Sequence, residues 1–292
     1  MQKKQDQNNN SDPSVLYKPI SGEETQQIEE NAVAMRMRKV KHIVIVLSGK
    51  GGVGKTTVSV NLAVSLALSG KQVGLLDIDI HGPSVPRMLD ITKERVHVIG
   101  SSIETAHYGE NLKVMSIGLM LNNQDSALVW RGPMKMKMIT QFLGDVKWGA
   151  LDYLIIDSPP GTGDEPLSIV ELIPNIDGAV IVTTPQQIST SDVRKSINFC
   201  RKTKLNILGV VENMSGFICP DCGSRHDIFQ SGGGKKMATD MDVPFLGTIP
   251  IEPAIVEACD NGEPYVKRYS NTATAQSFQE IVERMTSQMK HK

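Results

Sequence analysis

Aromatic rings, surplus charge and long apolar runs are all scarce in this chain of 292 residues. Aromatic residues make up 4% of the chain, which leaves few rings for stacking on nucleic-acid bases. Lys and Arg (31) balance Asp and Glu (32), so no net charge draws the chain to nucleic acid or to an anionic membrane. No run approaches the roughly eighteen apolar residues of a membrane span. We therefore expect neither nucleic acid nor a membrane as a partner.

Cysteine is scarce as well, and this bounds the compartment. Four cysteines in a chain of this length do not make a disulfide scaffold. The first residues, Met1 to Asn10, are rich in Gln, Asn and Lys and lack the apolar segment of a signal peptide. The simplest expectation is a cytoplasmic protein.

Apolar runs of strand length alternate with helical patterns through most of the chain. Continuous apolar strands between helices indicate a mainly parallel sheet that is covered by helices on both faces, a three-layer α/β fold. In such sheets ligands bind beyond the carboxyl ends of the strands. The predicted strands are Ile43–Leu47, Val73–Asp77, Leu112–Ile117, Leu151–Asp157, Ala179–Thr183, Ile207–Glu212 and Phe245–Ile249.

A glycine-rich loop follows the first predicted strand and opens a helix. It has the pattern G-x-x-x-x-G-K-T, in which glycines turn backbone N–H groups inward to form an anion site with the positive end of the helix. Lys55 is placed to reach the β- and γ-phosphates of a nucleotide, and the Thr56 hydroxyl to complete a Mg²⁺ shell. The predicted nucleotide-binding residues of this loop are Gly49, Lys50, Gly51, Gly52, Val53, Gly54, Lys55, Thr56 and Thr57.

Lys50 is a second lysine within the same loop. It could be a solvated loop residue, but a second cation beside a triphosphate is well placed to stabilise charge that develops in phosphoryl transfer. With it, the loop resembles that of the deviant Walker A (signature-lysine) ATPases. The resemblance implies that Lys50 is catalytic and contacts nucleotide across a homodimer.

Polar side chains end three of the other predicted strands. Asp157 ends an apolar strand and fits a Walker B carboxylate that supports Mg²⁺ through water. Asp79 follows another strand; it could simply form an Asx turn, but the resemblance implies a catalytic role in orienting the attacking water. Asn213 follows a third, and its amide could match the edge of adenine or belong to a turn. The resemblance implies that it contacts adenine, which favours ATP as the nucleotide.

A C-x-x-C motif, Cys219 and Cys222, carries the second kind of chemistry. Two thiolates at this spacing can share one metal centre, but two cannot complete the four-cysteine set of an iron–sulfur cluster or a zinc site. A symmetric dimer would supply the missing pair. A bridging [4Fe–4S] cluster is the preferred interpretation, with a bridging zinc ion and a redox-active dithiol as alternatives. Cys200 and Cys259 stand alone and are predicted to be small core residues.

Taken in order, these motifs resemble the Mrp/ApbC family of iron–sulfur cluster carrier ATPases, from about Lys41 to Tyr265. The resemblance implies a P-loop NTPase fold and a homodimer that binds a labile [4Fe–4S] cluster, transfers it to apo iron–sulfur proteins and hydrolyses ATP slowly with Mg²⁺. The predicted organisation is a flexible polar tail over residues 1–24, a lead-in helix and basic linker over 25–41, and a P-loop ATPase domain with the C-x-x-C motif over 42–292.

The resemblance leaves a departure in the cysteines and two other functions to weigh. The chain lacks the cysteine-rich N-terminal motif of the eukaryotic cytosolic branch, so no N-terminal cluster is expected. A spatial-organiser ATPase with a zinc-bound or merely structural cysteine pair is the alternative function. An electron-transfer reductase like nitrogenase iron protein is disfavoured, because that group uses two widely separated cysteines in each subunit.

Overall fold

The structure is a computed structural model that describes residues 22–80, 82–100, 102–120, 132–219 and 221–289. Most of the predicted polar tail, residues 1–24, lies outside the described residues. The ten α-helices of the described ranges are α1 (Gly22–Met37), α2 (Lys55–Leu68), α3 (Val85–Met88), α4 (Gly132–Gly144), α5 (Asp164–Leu172), α6 (Gln187–Lys202), α7 (Gly233–Asp240), α8 (Pro253–Asp260), α9 (Tyr265–Arg268) and α10 (Ala273–Ser287). The strands are β1 (Val40–Ser48), β2 (Val73–Asp77), β3 (Val98–Ile99), β4 (Ser102–Ile103), β5 (Ala106–Tyr108), β6 (Leu112–Ser116), β7 (Leu151–Asp157), β8 (Gly178–Thr183), β9 (Ile207–Glu212), β10 (Phe217–Ile218), β11 (Arg225–His226) and β12 (Phe245–Thr248).

One sheet organises the molecule, in the strand order β12-β9-β8-β1-β7-β2-β6-β5. Its neighbouring strands run parallel except for β5, which is antiparallel to β6. Every long strand predicted from the sequence lies in this sheet. The prediction of a three-layer, mainly parallel α/β fold is confirmed.

Hydrophobic residues pack on both faces of the sheet because successive strand side chains point to opposite sides. On β1, Val44 and Val46 face one cluster of buried residues, whereas Ile43, Ile45 and Leu47 face the other. Helices α2, α3, α8, α9 and α10 contribute to the first cluster, and α1, α4, α5, α6 and α7 to the second. The helices therefore form two outer layers that hold the central strands out of water.

Helix α1, which was predicted as a lead-in helix, packs against the rest of the molecule. Val33 and Met37, one helical turn apart, are buried in the second cluster, and the Arg36 guanidinium donates a hydrogen bond of 3.0 Å to the Gly144 carbonyl of α4. Strand β1 begins at Val40, two residues before the predicted start of the domain. The helix thus shares a core with the residues assigned to the domain.

Candidate nucleotide site and cysteine knuckle

The carboxyl ends of the central strands bring the predicted site residues to one edge of the sheet. Asp77 at the end of β2 lies in register with Asp157 at the end of β7, and Asp157 lies in register with Val46 near the end of β1. Thr183 of β8 pairs with Glu212 of β9 in the same way. The glycine loop, both acidic motifs and the segment that begins at Asn213 therefore leave the sheet side by side.

The glycine loop has a shape that only glycine allows at several positions. Gly52 and Gly54 adopt φ of +77° and +78°, in the left-handed region. Gly49 is constrained by packing instead, because a Cβ there would lie 2.5 Å from the Asp192 carbonyl carbon of α6. The conformation of the loop and its contact with α6 both depend on these residues.

Backbone donors converge at the mouth of this loop. The N–H groups of Lys55, Thr56 and Thr57 begin helix α2, and none of them makes a hydrogen bond to another residue in the described ranges. Such donors at a helix N-terminus, backed by the helix dipole, are a site for a phosphate group. The geometry fits the predicted phosphate loop.

Asp157 accepts hydrogen bonds from three side chains of helix α2. Its carboxylate is fully buried and accepts hydrogen bonds of 2.7 Å from Lys55 Nζ, Thr56 Oγ1 and Ser59 Oγ. Carboxylate and hydroxyl oxygens are the ligands that Mg²⁺ prefers, so Thr56 and Asp157 fit the predicted magnesium site. Ser59 was missed by sequence reasoning; its only signal is a position one turn after Lys55 on the buried side of α2.

Asp77 is a second buried carboxylate at the same edge. It accepts hydrogen bonds from Ser116 Oγ at 2.9 Å and from the Asp79 N–H at 3.1 Å. Burial, with the nearby negative charge of Asp157, raises the pKa of Asp77 from 3.8 to about 7. Sequence reasoning gave no role to Ser116, because the contact joins two strands that are distant along the chain.

The predicted catalytic residues line a common cavity of about 220 Å³, together with the glycine loop and Pro160. Asp79 and Lys50 are both partly buried there. Within the described part of the chain, the Lys50 ammonium makes no hydrogen bond or ion pair, whereas the Lys50 carbonyl accepts a hydrogen bond of 3.0 Å from Ser48 Oγ. The backbone at Lys50 is held while its charged end can reach a ligand. A larger cavity, of about 560 Å³ between α2 and α10, contains neither the glycine loop nor the aspartates.

Asn213 lies directly beneath the glycine loop. Its side-chain Nδ2 donates a hydrogen bond of 2.9 Å to the Val53 carbonyl, and its backbone N–H donates one of 2.8 Å to Thr183. A Cβ at Gly54 would lie only 2.2 Å from the same Nδ2. The Asn213 amide therefore supports the phosphate loop, and its contact with adenine stays a prediction.

Cys219 and Cys222 lie in the turn between β10 and β11. We call the two strands together with this turn, residues 217–226, the cysteine knuckle. The Cys219 N–H donates to the Ser224 carbonyl, and the Gly223 N–H donates to the Cys219 carbonyl, both at 2.9 Å. Cys222 is exposed and Cys219 partly exposed. Hydrogen bonds with Ser224 lower the pKa of the Cys222 thiol and so favour the thiolate that a metal centre needs.

The cysteine knuckle supplies two thiols. In the described ranges no third His, Cys, Asp or Glu joins the two thiols as a metal-binding group. Cys200 is buried in α6, as predicted, while Cys259 in α8 is only partly buried. Ile218, Ile228 and Phe229 near the knuckle are 52%, 58% and 41% exposed. Exposed apolar residues that lie together are typical of an interface.

The glycine loop, the buried Walker B carboxylate and the parallel sheet together define a nucleotide-binding P-loop protein. The family model ParA, described as NUBPL iron-transfer P-loop NTPase, matches residues 39–286. The chain belongs to this family.

Individual relatives agree with the family assignment. A "Cytosolic Fe-S cluster assembly factor NUBP1 homolog" from Brugia malayi is 50% identical over 86% of this chain and 83% of its own length. A "Cytosolic Fe-S cluster assembly factor NUBP2 homolog" from Nematostella vectensis is 48% identical over 87% of this chain and 96% of its own length. Among solved structures, a nucleotide-binding protein from Archaeoglobus fulgidus in complex with ADP has a TM-score of 0.71 at 39% identity, covering 82% of this chain and 93% of the other.

None of the helices in the described ranges combines the length and the apolar character that crossing a bilayer demands.

Proposed function

We propose that this protein is an ATP-hydrolysing iron–sulfur cluster carrier, which binds a labile [4Fe–4S] cluster at a homodimer interface and transfers it to apo-proteins. The observation that carries the proposal is the pairing of a full phosphate site with half a thiolate site in one chain. The family is one of P-loop NTPases; ATP as the nucleotide, Mg²⁺ dependence and slow turnover are parts of the proposal.

The phosphate site supports hydrolysis through residues with separate tasks. Lys55 and the N–H groups at the start of α2 bind the phosphates, while Thr56 and Asp157 hold the magnesium ion. Lys50 stabilises the charge of the transferred phosphoryl group, and Asp79 orients the attacking water.

The thiolate site takes the cluster as cargo. Cys219 and Cys222 of each subunit supply two of four thiolates, and four thiolates suit a [4Fe–4S] cluster. Because both thiols lie at an exposed turn, an apo iron–sulfur protein can approach the cluster and exchange its own cysteines for them. The two cytosolic assembly-factor names support this role and a cytoplasmic location, and they do not favour the spatial-organiser alternative.

Anaerobic reconstitution with iron and sulfide tests the cargo. We expect the parent protein to gain a broad absorbance at about 400 nm, the region of iron–thiolate charge transfer, and the Cys219→Ala variant to show none. Cys259→Ala is the matched control, because it removes a thiol outside the knuckle and should leave the iron and sulfide content unchanged. Equal iron content in Cys219→Ala and the parent would reject the proposal, and zinc without sulfide would support a zinc site instead.

The shared site also requires two copies of the chain. Light scattering of the anaerobically loaded protein with ATP should give the mass of a dimer, since a single chain offers two thiolates for the four that the cluster needs. A monomer that retains iron and sulfide would contradict a bridging cluster.

A further inference from the structure

A second segment rich in glycine and lysine runs from Ser231 to Lys236. It follows the knuckle and leads into helix α7. By composition it could be another anion site. The structure shows that a carboxylate of the chain itself fills this position. The Gly232 N–H donates to Glu212 Oε1 at 2.8 Å, and the Gly234 N–H donates to Glu212 Oε2.

Glu212 is fully buried at the end of β9, so its oxygens need hydrogen-bond donors from within the protein. Gly234 is needed for the close approach, because a Cβ there would lie 2.9 Å from Glu212 Oε2. The positive end of α7 adds to the stabilisation of the carboxylate. The Glu212 carboxylate thus occupies the position at the start of α7 where a bound anion would otherwise lie.

The same carboxylate also accepts a hydrogen bond from Ser215 Oγ. Ser215 precedes the knuckle and Gly232 follows it, so one side chain ties both ends of the segment that carries the cysteines. Between these ends, the Gly216 carbonyl accepts a hydrogen bond of 2.7 Å from the Ile251 N–H, and Phe217 forms a bridge with Ile251. Beyond that point residues 221–232 are all exposed, and the hairpin strands have two residues each. A segment with so few contacts opens easily unless its ends are held.

We propose that Glu212 is the positioning residue that fixes the cysteine knuckle relative to the phosphate loop. The next residue, Asn213, hydrogen-bonds to the Val53 carbonyl of that loop, so consecutive residues hold the two sites. The inference rests on the proposed function, in which the sulfurs of each subunit must meet those of its partner at a defined place. Glu212 acts through the backbone of the segment and does not contact the cluster.

The Glu212→Gln variant tests this role at almost constant side-chain volume. It removes the charge and turns an NH₂ group toward N–H donors of α7, which leaves at least one of them unpaired. We expect hydrogen exchange of the backbone amides in residues 216–232 to speed up at least about fivefold, the effect of losing a hydrogen bond of ordinary net strength. Iron bound after anaerobic reconstitution should fall severalfold. Glu280→Gln, an exposed carboxylate on α10, should change neither measurement.

Two further measurements keep the test decisive. Ser215→Ala removes only the contact before the knuckle and should give a smaller increase in exchange over the same residues; it serves if Glu212→Gln does not fold. Alkylation of Cys200, which is buried in α6, reports general loosening of the molecule. Its rate should stay at the parent value in both variants.

Each outcome then has one meaning. Faster exchange confined to residues 216–232, with Cys200 still protected, supports the positioning role. Parent-like exchange in Glu212→Gln overturns it, and so does a loss of Cys200 protection, which would show a general structural role. If the parent binds no iron, the proposed function fails, while the exchange comparison still decides whether Glu212 holds the knuckle.

Discussion

The phosphate loop and the cysteine knuckle both follow the carboxyl end of a parallel strand, yet they are built in opposite ways. The phosphate loop joins β1 to the long helix α2, and Lys55 and Thr56 donate hydrogen bonds to the fully buried Asp157. The knuckle consists of two strands of two residues and the turn between them, in which Cys222 is exposed and Cys219 partly exposed. The first region is held by the core of one chain, and the second by backbone hydrogen bonds and a carboxylate behind it.

In the proposed function, this contrast divides nucleotide binding and cluster release between the two regions. A preorganised phosphate site keeps its geometry through each nucleotide exchange. A site for cargo must open, and regions that open have few buried contacts. Lys50 is the exception within the phosphate loop, because its ammonium makes no hydrogen bond or ion pair in the described part of the chain, although its carbonyl is held by Ser48.

Replacing Lys50 should therefore have the largest effect. We expect Lys50→Ala to lower the turnover of ATP by about 10²–10³-fold, somewhat less than the effect of losing a catalytic arginine finger. Nucleotide affinity should change much less, because Lys55 and the start of α2 remain. Steady-state turnover and equilibrium binding of a fluorescent nucleotide measure the two quantities. Equal losses in both would make Lys50 a binding residue only.

Mixing two inactive variants sharpens the same comparison. A Lys55→Ala subunit cannot hold its own nucleotide well, but it still carries Lys50. If Lys50 acts across the dimer, a mixture of Lys50→Ala and Lys55→Ala subunits should regain part of the parent turnover. A mixture that stays inactive, although subunit exchange is shown, would place Lys50 in its own subunit's site.

The next largest effect is expected on stability, when a substitution at Gly49 disturbs the packing of the phosphate loop against α6. A Cβ at Gly49 would meet the Asp192 backbone at 2.5 Å, so Gly49→Ala should lower the free energy of unfolding by about 1–3 kcal/mol, as overpacking does. Gly51→Ala is the matched control, because a Cβ there would meet nothing closer than Pro160 at 4.0 Å. Urea unfolding measures both variants. Equal stability of the two would show that the loop is not wedged against α6.

The last effect concerns the pH dependence of stability and the buried Asp77. Between its ordinary pKa of 3.8 and its folded pKa of about 7, the folded protein keeps a proton that the unfolded chain has released. The stability contributed by Asp77 therefore falls as the pH rises from about 4 to about 7. Asp77→Asn stays neutral, so its free energy of unfolding relative to the parent should be higher at pH 8 than at pH 5.

Urea unfolding at pH 5 and pH 8 checks this prediction without nucleotide or magnesium. Asp260→Asn, at an exposed position on α8, is the control for losing one carboxylate and should show no such dependence. If the difference between Asp77→Asn and the parent is the same at both pH values, then Asp77 is ionised throughout and Asp157 does not oppose it.

The long strands and the phosphate loop could be predicted from the sequence because each is formed by contiguous residues with a recognisable pattern. Seven apolar runs were enough to give the parallel sheet, and the glycine pattern placed Lys55 and Thr56 at the start of α2. The contacts of Ser59, Ser116 and Glu212 could not be predicted in this way. Each joins residues that only the fold brings together, and serine or glutamate at such positions has no pattern of its own.

Short elements were missed for a different reason. Helices α3 and α9 have four residues each, too few to show a helical repeat, and the strands of the knuckle are shorter still. The C-x-x-C motif nevertheless predicted a metal-binding turn, because the spacing of its two cysteines is itself the signal. What it could not show is the carboxylate at the end of β9 that anchors the turn.

The two border strands of the sheet, β5 with three residues and β12 with four, have a consequence for how molecules meet. Borders this short expose few unpaired N–H and C=O groups, so they are poor templates for lateral fusion with another molecule. Self-association by strand addition is therefore suppressed at both flanks. An exposed cysteine knuckle therefore does not bring with it association through the borders of the sheet.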